Sequence, residues 1–325
     1  MYNSIKAVLG GLALISLTGA SYAEYPTKPI NMVIPYGPGG ATDISARTIS
    51  KPLTEIVGKP LVMMNVTGAG GAIGSVKVKN APPDGYTMLF TRVGSHSVNP
   101  AMKATLPYKL SDFRFITVYE INPVACAVDA FSDIKTMEDL VSKVEEGGVS
   151  YSSSGVGSML HIAAVMVLKE FGVDDPLSKT THIPQKGGGG AATAVLNGTA
   201  TFVCDNSSSL SSFVANKQLR PLLVTTKEPV TGFDAPTAAE LGKPELHQLV
   251  GWTGLAGPAG LSDEVADSWY AYMQKVTENY EFTQKMSERG SLIRLYSPSE
   301  SKAFIEDQYN TFRKLVDELG MRIEG

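Results

Sequence analysis

Apolar and polar positions follow two periods along this chain, and the change from one to the other marks its elements. Ile30–Ile34 is a short β-favouring run that leads into Tyr36-Gly-Pro-Gly-Gly-Ala-Thr-Asp43. Beyond it, Ala46, Ile49, Leu53, Ile56 and Val57 recur at helical spacing and predict one buried helix face. The same strand, glycine turn and helix order returns: Leu61–Met64 precedes Asn65-Val-Thr-Gly-Ala-Gly-Gly71, a helix is predicted over Ala72–Val78, and Tyr86–Phe90 reads as a third strand. Such alternation predicts an α/β lobe.

From Phe115 to Val128 the chain favours β structure except at Asn122-Pro123, where proline weakens a continuous strand and a crossing into a second lobe is expected. Helices are predicted over Met137–Val144 and Ser158–Phe171, with a strand ending before Ser152 and further βα units to about Thr226. The stretch Gly251–Gly260 offers a second crossover, followed by helices near Asp263–Lys275 and Tyr280–Arg289. A last helix between Ser301 and Leu319 carries an apolar stripe of Phe304, Ile305, Phe312, Leu315 and Val316, and Gly320 supplies its stop. The expected division is residues 24–122 with 252–325 as lobe one and 123–251 as lobe two.

Lys6, the apolar run Ala7–Leu17 and the small residues Ser21 and Ala23 read as a secretory signal over residues 1–23. Removing 23 of 325 residues leaves 302, more than one core usually serves, which supports two lobes. The net charge of −4 becomes −5 without Lys6, and no long basic block remains to track a phosphate backbone, so nucleic acid is not an expected partner. The mature chain has no apolar run of membrane-spanning length, and a soluble, monomeric periplasmic protein is expected. Cys126 and Cys204 lie in apolar, strand-like segments. They allow one disulfide, but two buried free thiols are the favoured reading, and zinc has no support.

The chemistry on offer suits a small anion. In the Tyr36–Asp43 turn, Gly39 and Gly40 let backbone N–H groups approach a carboxylate, and a helix starting at Ala41 and Thr42 adds a positive end. Asp43 would repel a carboxylate directly, so it is expected to cap the helix, organise Thr42 and water, or accept a donor from the ligand. The Thr67–Gly71 loop, with Gly70, can line the same opening; it lacks a full dinucleotide-binding glycine pattern. Arg92, followed by Gly94 and Ser95, places a fixed charge where a strand opens into a loop, to meet either a carboxylate or a nearby acidic residue. His96 reads as a polar loop residue or as a support behind the residues that meet the ligand. In the other lobe, Ser154, Gly155 and Gly157 lead to Ser158 as a helix cap, with His161 in the first turn. Asp205 and Asn206 follow a strand and, with His182 and Lys186, can frame a cleft, or else serve only as a capped turn. Neither a nucleophile elbow, an H-E-x-x-H motif nor a P-loop ending occurs, and no catalytic set or cofactor is nominated.

Tyr36–Asp43, Thr67–Gly74, Gly94–Pro100, Ser153–His161, His182–Gly187 and Trp252–Gly260 together resemble the tripartite tricarboxylate transporter substrate-binding family over almost the whole mature chain. The resemblance implies a periplasmic-binding-protein-like fold of two α/β lobes joined by crossover strands. It further implies capture of a small organic carboxylate and its delivery to a small and a large membrane subunit, with a solute sensor or signalling adaptor as the alternative. Gln185 stands where the family often has an aromatic residue, and Arg92 is an added cation.

Overall fold

The computed structural model describes residues 25–156 and 158–323. The expected signal segment and Gly157 lie outside them. The chain forms, in order, β1 (Ile30–Ile34), α1 (Ala41–Val57), β2 (Leu61–Asn65), α2 (Ala72–Lys79), β3 (Thr87–Arg92), α3 (Asn99–Met102) and the long β4 (Phe113–Asp129). Then come α4 (Met137–Glu146), β5 (Val149–Ser153), α5 (Met159–Glu170), α6 (Pro176–Lys179), β6 (Thr180–Pro184), α7 (Gly188–Leu196), β7 (Phe202–Asn206), α8 (Ser207–Ala215) and β8 (Leu219–Val224). The return consists of β9 (Val250–Pro258), α9 (Asp263–Thr277), α10 (Tyr280–Ser287), β10 (Leu292–Ile293) and α11 (Pro298–Glu318).

These strands form two sheet halves that share β4. In the first, β1 is parallel to β2 and β3, while β9 runs antiparallel between β3 and β4. In the second, β5 is parallel to β6 and β7, and β4 pairs antiparallel with β7 on one side and β8 on the other. The change of partners falls at proline: Pro123 is opposite Val250 of β9, and Val124 is opposite Asn206 of β7. Pro123 therefore does not end the strand. It lacks an N–H where β4 leaves one ladder for the other, the position at which that loss costs least.

One apolar cluster underlies the first sheet alone, and a larger one runs across both halves. Ala46, Ile49 and Leu53 of α1 pack with Trp269, Met273, Phe282 and Met286 of α9 and α10 over the first sheet. In the second half, the almost wholly apolar α5 is buried along Met159–Leu168. Ile305, Phe312 and Val316 of α11 join Val98, Met102 and Trp252 in the same cluster. The start of α11 lies earlier than the apolar stripe indicates, because Ser297 and Glu300 close a capping box and Pro298 sits in the first turn. Gly320 takes φ +62°, the left-handed stop expected of it.

The free-thiol reading of the cysteines is corrected: Cys126 and Cys204 form a disulfide. They are direct partners in the antiparallel register of β4 and β7, with Cα atoms 4.1 Å apart. A separation of 78 residues concealed a contact that strand register creates.

Candidate functional site

The loops at the carboxyl ends of β1, β2 and β3 meet around Tyr36. Its hydroxyl donates to the Gly70 carbonyl at 3.2 Å, and Asn99 Nδ2 donates to the same oxygen at 2.8 Å. A Cβ on Gly94 would lie 2.6 Å from the Tyr36 hydroxyl, and one on Gly71 would lie 3.0 Å from Ser95 Cβ, so glycine is what permits this approach. Tyr36, Gly70, Gly94 and Ser95 are thus brought together. The segment after Arg92 is not an open loop: Gly94–Val98 is a π-type helical turn running into α3. Within it Ser95 is fully buried, its hydroxyl 2.8 Å from His96 Nδ1, and Tyr108 donates to its carbonyl.

His96 differs from the polar loop residue expected. It is fully buried between Tyr108, Phe113 and Phe115, and burial pulls its pKa down to about 3, keeping the ring neutral.

Gly40 is the N-cap of α1 and makes no side-chain cap bond. Its carbonyl receives the Ile44 amide, so the amides of Ala41, Thr42 and Asp43 precede the helix's own hydrogen-bond ladder. Asp43 faces its own loop. One oxygen accepts the Gly39 amide at 2.9 Å, the other accepts Asn65 Nδ2 at 2.8 Å, and Arg47 Nε lies 2.9 Å from both. Burial opposes its charge, but the bonds from Arg47, Asn65 and Gly39 outweigh that and hold the carboxyl below the usual carboxylate range. Asn65 Nδ2 also donates to the Tyr36 carbonyl, which ties the turn to β2. Sequence reasoning passed over Arg47 and Asn65, although the i,i+4 spacing of Asp43 and Arg47 was a visible signal. A groove of about 420 Å³ between α1 and α10 is lined by Asp43, Arg47, Lys51, Glu281, Lys285 and Arg289, with no residue of the second sheet half. It is separate from the loops around Tyr36.

In the second half, Ser158 caps α5 by accepting the His161 amide at 3.1 Å. The end of β5 lies beside the β6–α7 loop: Gln185 N donates to the Ser153 carbonyl, Ser153 Oγ is 2.8 Å from His182 Nε2, and a Cβ on Gly155 would lie 3.6 Å from the Gln185 carbonyl oxygen. The His161 and His182 rings stack at 3.9 Å, and Tyr151 and Phe202 continue the stack. Burial, and then the neighbouring His182, lower His161 to a pKa of about 4, so at neutral pH it offers a polar ring without a charge. Asp205 is fully buried at the end of β7. Its Oδ1 accepts the Asn206 amide at 2.8 Å, and a Cβ on Gly188 would come within 2.5 Å of that oxygen. Burial raises its carboxyl to about 7, against the bonds from Asn206 and Ser209 and the field of Arg92.

The two halves meet where β3, β9 and β7 end. Arg92 Nη1 donates to Thr253 Oγ1 at 2.7 Å. A Cβ on Gly251 would lie 2.2 Å from Asn206 Oδ1 and 3.1 Å from Arg92 Nη2. Beside this point a buried polar network spans the seam. Asn122 Nδ2 lies 2.9 Å from Glu120 Oε1, 2.7 Å from Ser208 Oγ and 3.0 Å from Ser291 Oγ, and Asn122 Oδ1 accepts from Ser207 Oγ at 3.2 Å. Asn206 was expected, with Asp205, to frame a cleft; Asn122, Ser207, Ser208 and Ser291 were not singled out as site residues. They converge only because β4 turns from one sheet to the other.

Two α/β halves sharing a crossing strand, with strand-to-helix loops gathered at the seam, define a periplasmic binding protein of the two-lobed type. The chain belongs to the tripartite tricarboxylate transporter receptor family: the profile described as "Tripartite tricarboxylate transporter family receptor" matches residues 45–321. It is similar to BugT of Bordetella pertussis, 26% identical over 305 residues that cover 92% of each chain. Among solved structures it is similar to a periplasmic transporter, with 29% identity, a TM-score of 0.85 and coverage of 92% of this chain and 99% of the other. An R. palustris protein solved with adipate gives 26% identity, a TM-score of 0.84 and coverage of 91% and 99%. Among the described residues, no helix is long and apolar enough to cross a membrane.

Proposed function

We propose that this protein is a periplasmic receptor that captures a small organic carboxylate reversibly, without catalysis, and hands it to the membrane subunits of a tripartite transporter. One observation carries the reading: loops from both sheet halves, each leading from a strand end into a helix start, come together at the Arg92–Gly251–Asn206 contact. Open α/β sheets bind ligands outside the carboxyl ends of their strands. Helix starts and glycine turns there offer N–H groups to an anion, and water can complete its shell.

On this reading each expected site residue takes a role. Arg92 brings positive charge to the seam, while the Ala41–Thr42 start of α1 and the Ser158 start of α5 offer N–H groups from opposite sides. Tyr36, Gly70, Gly94 and Ser95 shape the first wall; Ser154, Gly155 and His161 belong to the second. Asp43 braces its loop. Residues 24–122 with 252–325 form one closing lobe and 123–251 the other, with the ligand favouring closure by contacting both. A compact acid with two polar ends fits better than a long peptide or a neutral sugar. Family membership and the adipate carried by a relative support the acid class.

The test is calorimetry of the purified mature protein against a panel of mono-, di- and tricarboxylates, with native mass spectrometry to identify any solute retained through purification. Reversible binding of an acid without turnover is expected. A neutral solute that outcompetes every acid, or chemical conversion of the bound compound, would sink the proposal.

A further inference from the structure

The groove between α1 and α10 lies apart from the loops around Tyr36, yet it shares two side chains with the brace that holds the Tyr36–Asp43 turn. Asp43 and Arg47 line the groove and belong to that brace. Four cations, Arg47, Lys51, Lys285 and Arg289, stand in the groove against two carboxylates, Asp43 and Glu281. Arg47 pairs with Asp43 at 2.9 Å and Lys285 with Glu281 at 2.7 Å. Lys51 and Arg289 are exposed, and their side chains form no hydrogen bond or ion pair among the described residues. Two positive charges are left over.

Charge is one half of this surface. Ile44, Pro52 and Phe282 add an apolar lining, and Tyr280, between the lining residues Asn279 and Glu281, is 76% exposed. An open tyrosine among arginines is the composition of protein contact surfaces. A lipid surface fits less well, because its dense negative charge would press on Asp43 and Glu281 as much as on the cations. A concave groove with the two signs interspersed suits a discrete chain segment whose carboxylates reach Lys51 and Arg289.

Arg47 connects that surface to the turn. Its Nε lies 2.9 Å from both oxygens of Asp43 and its Nη2 donates to Asn65 Oδ1 at 2.9 Å, while Nη1 has no hydrogen-bond partner among the described residues. The Arg47 side chain is 53% exposed and that of Asp43 only 4%. A carboxylate entering the groove can take Nη1 and, once the guanidinium rotates, Nη2 as a bidentate pair. Arg47 is then drawn from Asn65 and holds Asp43 less firmly. Asp43 fixes the Gly39 amide and Asn65 the Tyr36 carbonyl, so the turn loosens.

We infer that the α1–α10 groove docks an acidic segment of the membrane partner, and that a carboxylate of this segment, by competing for Arg47, loosens the Tyr36–Asp43 turn and lowers the affinity for the captured solute. The inference rests on the receptor reading above and specifies where and how the partner acts. Such coupling is reciprocal, so bound solute lowers the segment's affinity by the same factor. A receptor that holds its solute in solution thereby relaxes its grip where it meets the membrane.

Hexaglutamate serves as the probe, with hexalysine as its control, in amide NMR of the intact mature protein. Hexaglutamate is expected to shift amides of α1 and α10 and, through Asp43, that of Gly39. Raising salt from about 0.02 to about 0.2 M should weaken it. Lys51→Glu combined with Arg289→Glu, both outside the proposed ligand loops, should weaken the peptide at least about tenfold and leave acid binding without peptide unchanged. Arg47→Gln should still let the peptide bind at Lys51 and Arg289 but abolish the Gly39 response. For an acid that binds from the carboxylate panel, saturating hexaglutamate should raise the Kd at least about fivefold in calorimetry. Absence of hexaglutamate binding, equal binding by the double variant or equal binding of hexalysine overturns the inference. So does peptide binding that leaves Gly39 and the acid's Kd unmoved, or attachment of phosphatidylglycerol vesicles to the groove in place of the peptide. Those results leave the receptor reading standing. If no acid of any kind binds the folded protein, that reading fails and the inference falls with it.

Discussion

Replacing Asn122 by alanine tests whether the network at the crossing strand holds the two halves together. The amide joins Glu120 of the first sheet and Ser291 beside β10 to Ser207 and Ser208 at the start of α8, with the closest contact 2.7 Å. All five residues are essentially buried. The bond to Glu120 involves a buried carboxyl and accounts for roughly 1.5–3 kcal/mol, and each neutral bond for about 1 kcal/mol. Ser291 still donates to Glu120 in the variant, and serine hydroxyls can rotate, so part of the loss is recovered. A net destabilisation of about 3 kcal/mol is expected. Urea unfolding followed by tryptophan fluorescence and far-UV circular dichroism measures it, provided the two transitions coincide and the m-value is unchanged. Both tryptophans are fully buried, Trp269 in the core of the first sheet and Trp252 in the cluster that spans both halves. A change below about 1 kcal/mol would refute the reasoning, since it would mean that these contacts exchange for water at no net cost.

Removing the Cys126–Cys204 bond by a double alanine substitution should cost about 4 kcal/mol from release of its 78-residue loop, read as a lower urea midpoint; wild-type protein unfolding at the same midpoint with and without reductant would contradict this. Asp205→Asn should change the pH dependence of stability. With the folded carboxyl raised to about 7 and the unfolded one near 4, the wild type holds an extra proton when folded, and its stability falls as pH rises between those values. The variant should therefore gain in Tm relative to wild type near pH 7.5 but not near pH 4, and an equal difference at both would count against the assignment. Asp43→Asn should show the opposite window. The depressed folded pKa makes the stabilising contribution of Asp43 complete above the ordinary carboxylate pKa and lost as pH falls through the folded value, so the variant's deficit in Tm should close in strong acid.

Local pattern was enough to read β1, the buried face of α1, the helix cap at Ser158 and the stripe of α11, because each depends on residues within a few positions of one another. The crossing at Pro123 was legible as a weakness in a β-favouring run. Its resolution was not, since whether proline breaks a strand depends on which neighbour the ladder has at that residue. The disulfide, the Asp43–Arg47–Asn65 brace and the Asn122 network need partners that only register and packing supply. His96 illustrates the reverse error. A histidine after a glycine in a strand-to-loop stretch reads as polar surface, yet three aromatic rings from later in the chain enclose it. Among the expected site residues, those around Tyr36 are brought together, and Asn206, named with Asp205 from the sequence, lies near Arg92 only because Gly251 of β9 leaves room between them.

The unequal fastening of β4 has a mechanical consequence. On the second-half side of Pro123, Cys126 rivets the strand to β7 three residues away; on the other side, β9 pairs with it from Phe113 to Pro123 itself. Any rotation of one sheet against the other is thereby concentrated in the short span between proline and rivet. That span acts as a fulcrum with a stiff beam on either side. Asn206 lies opposite Val124, within that span, so it sits close to the axis, where a small turn displaces it little.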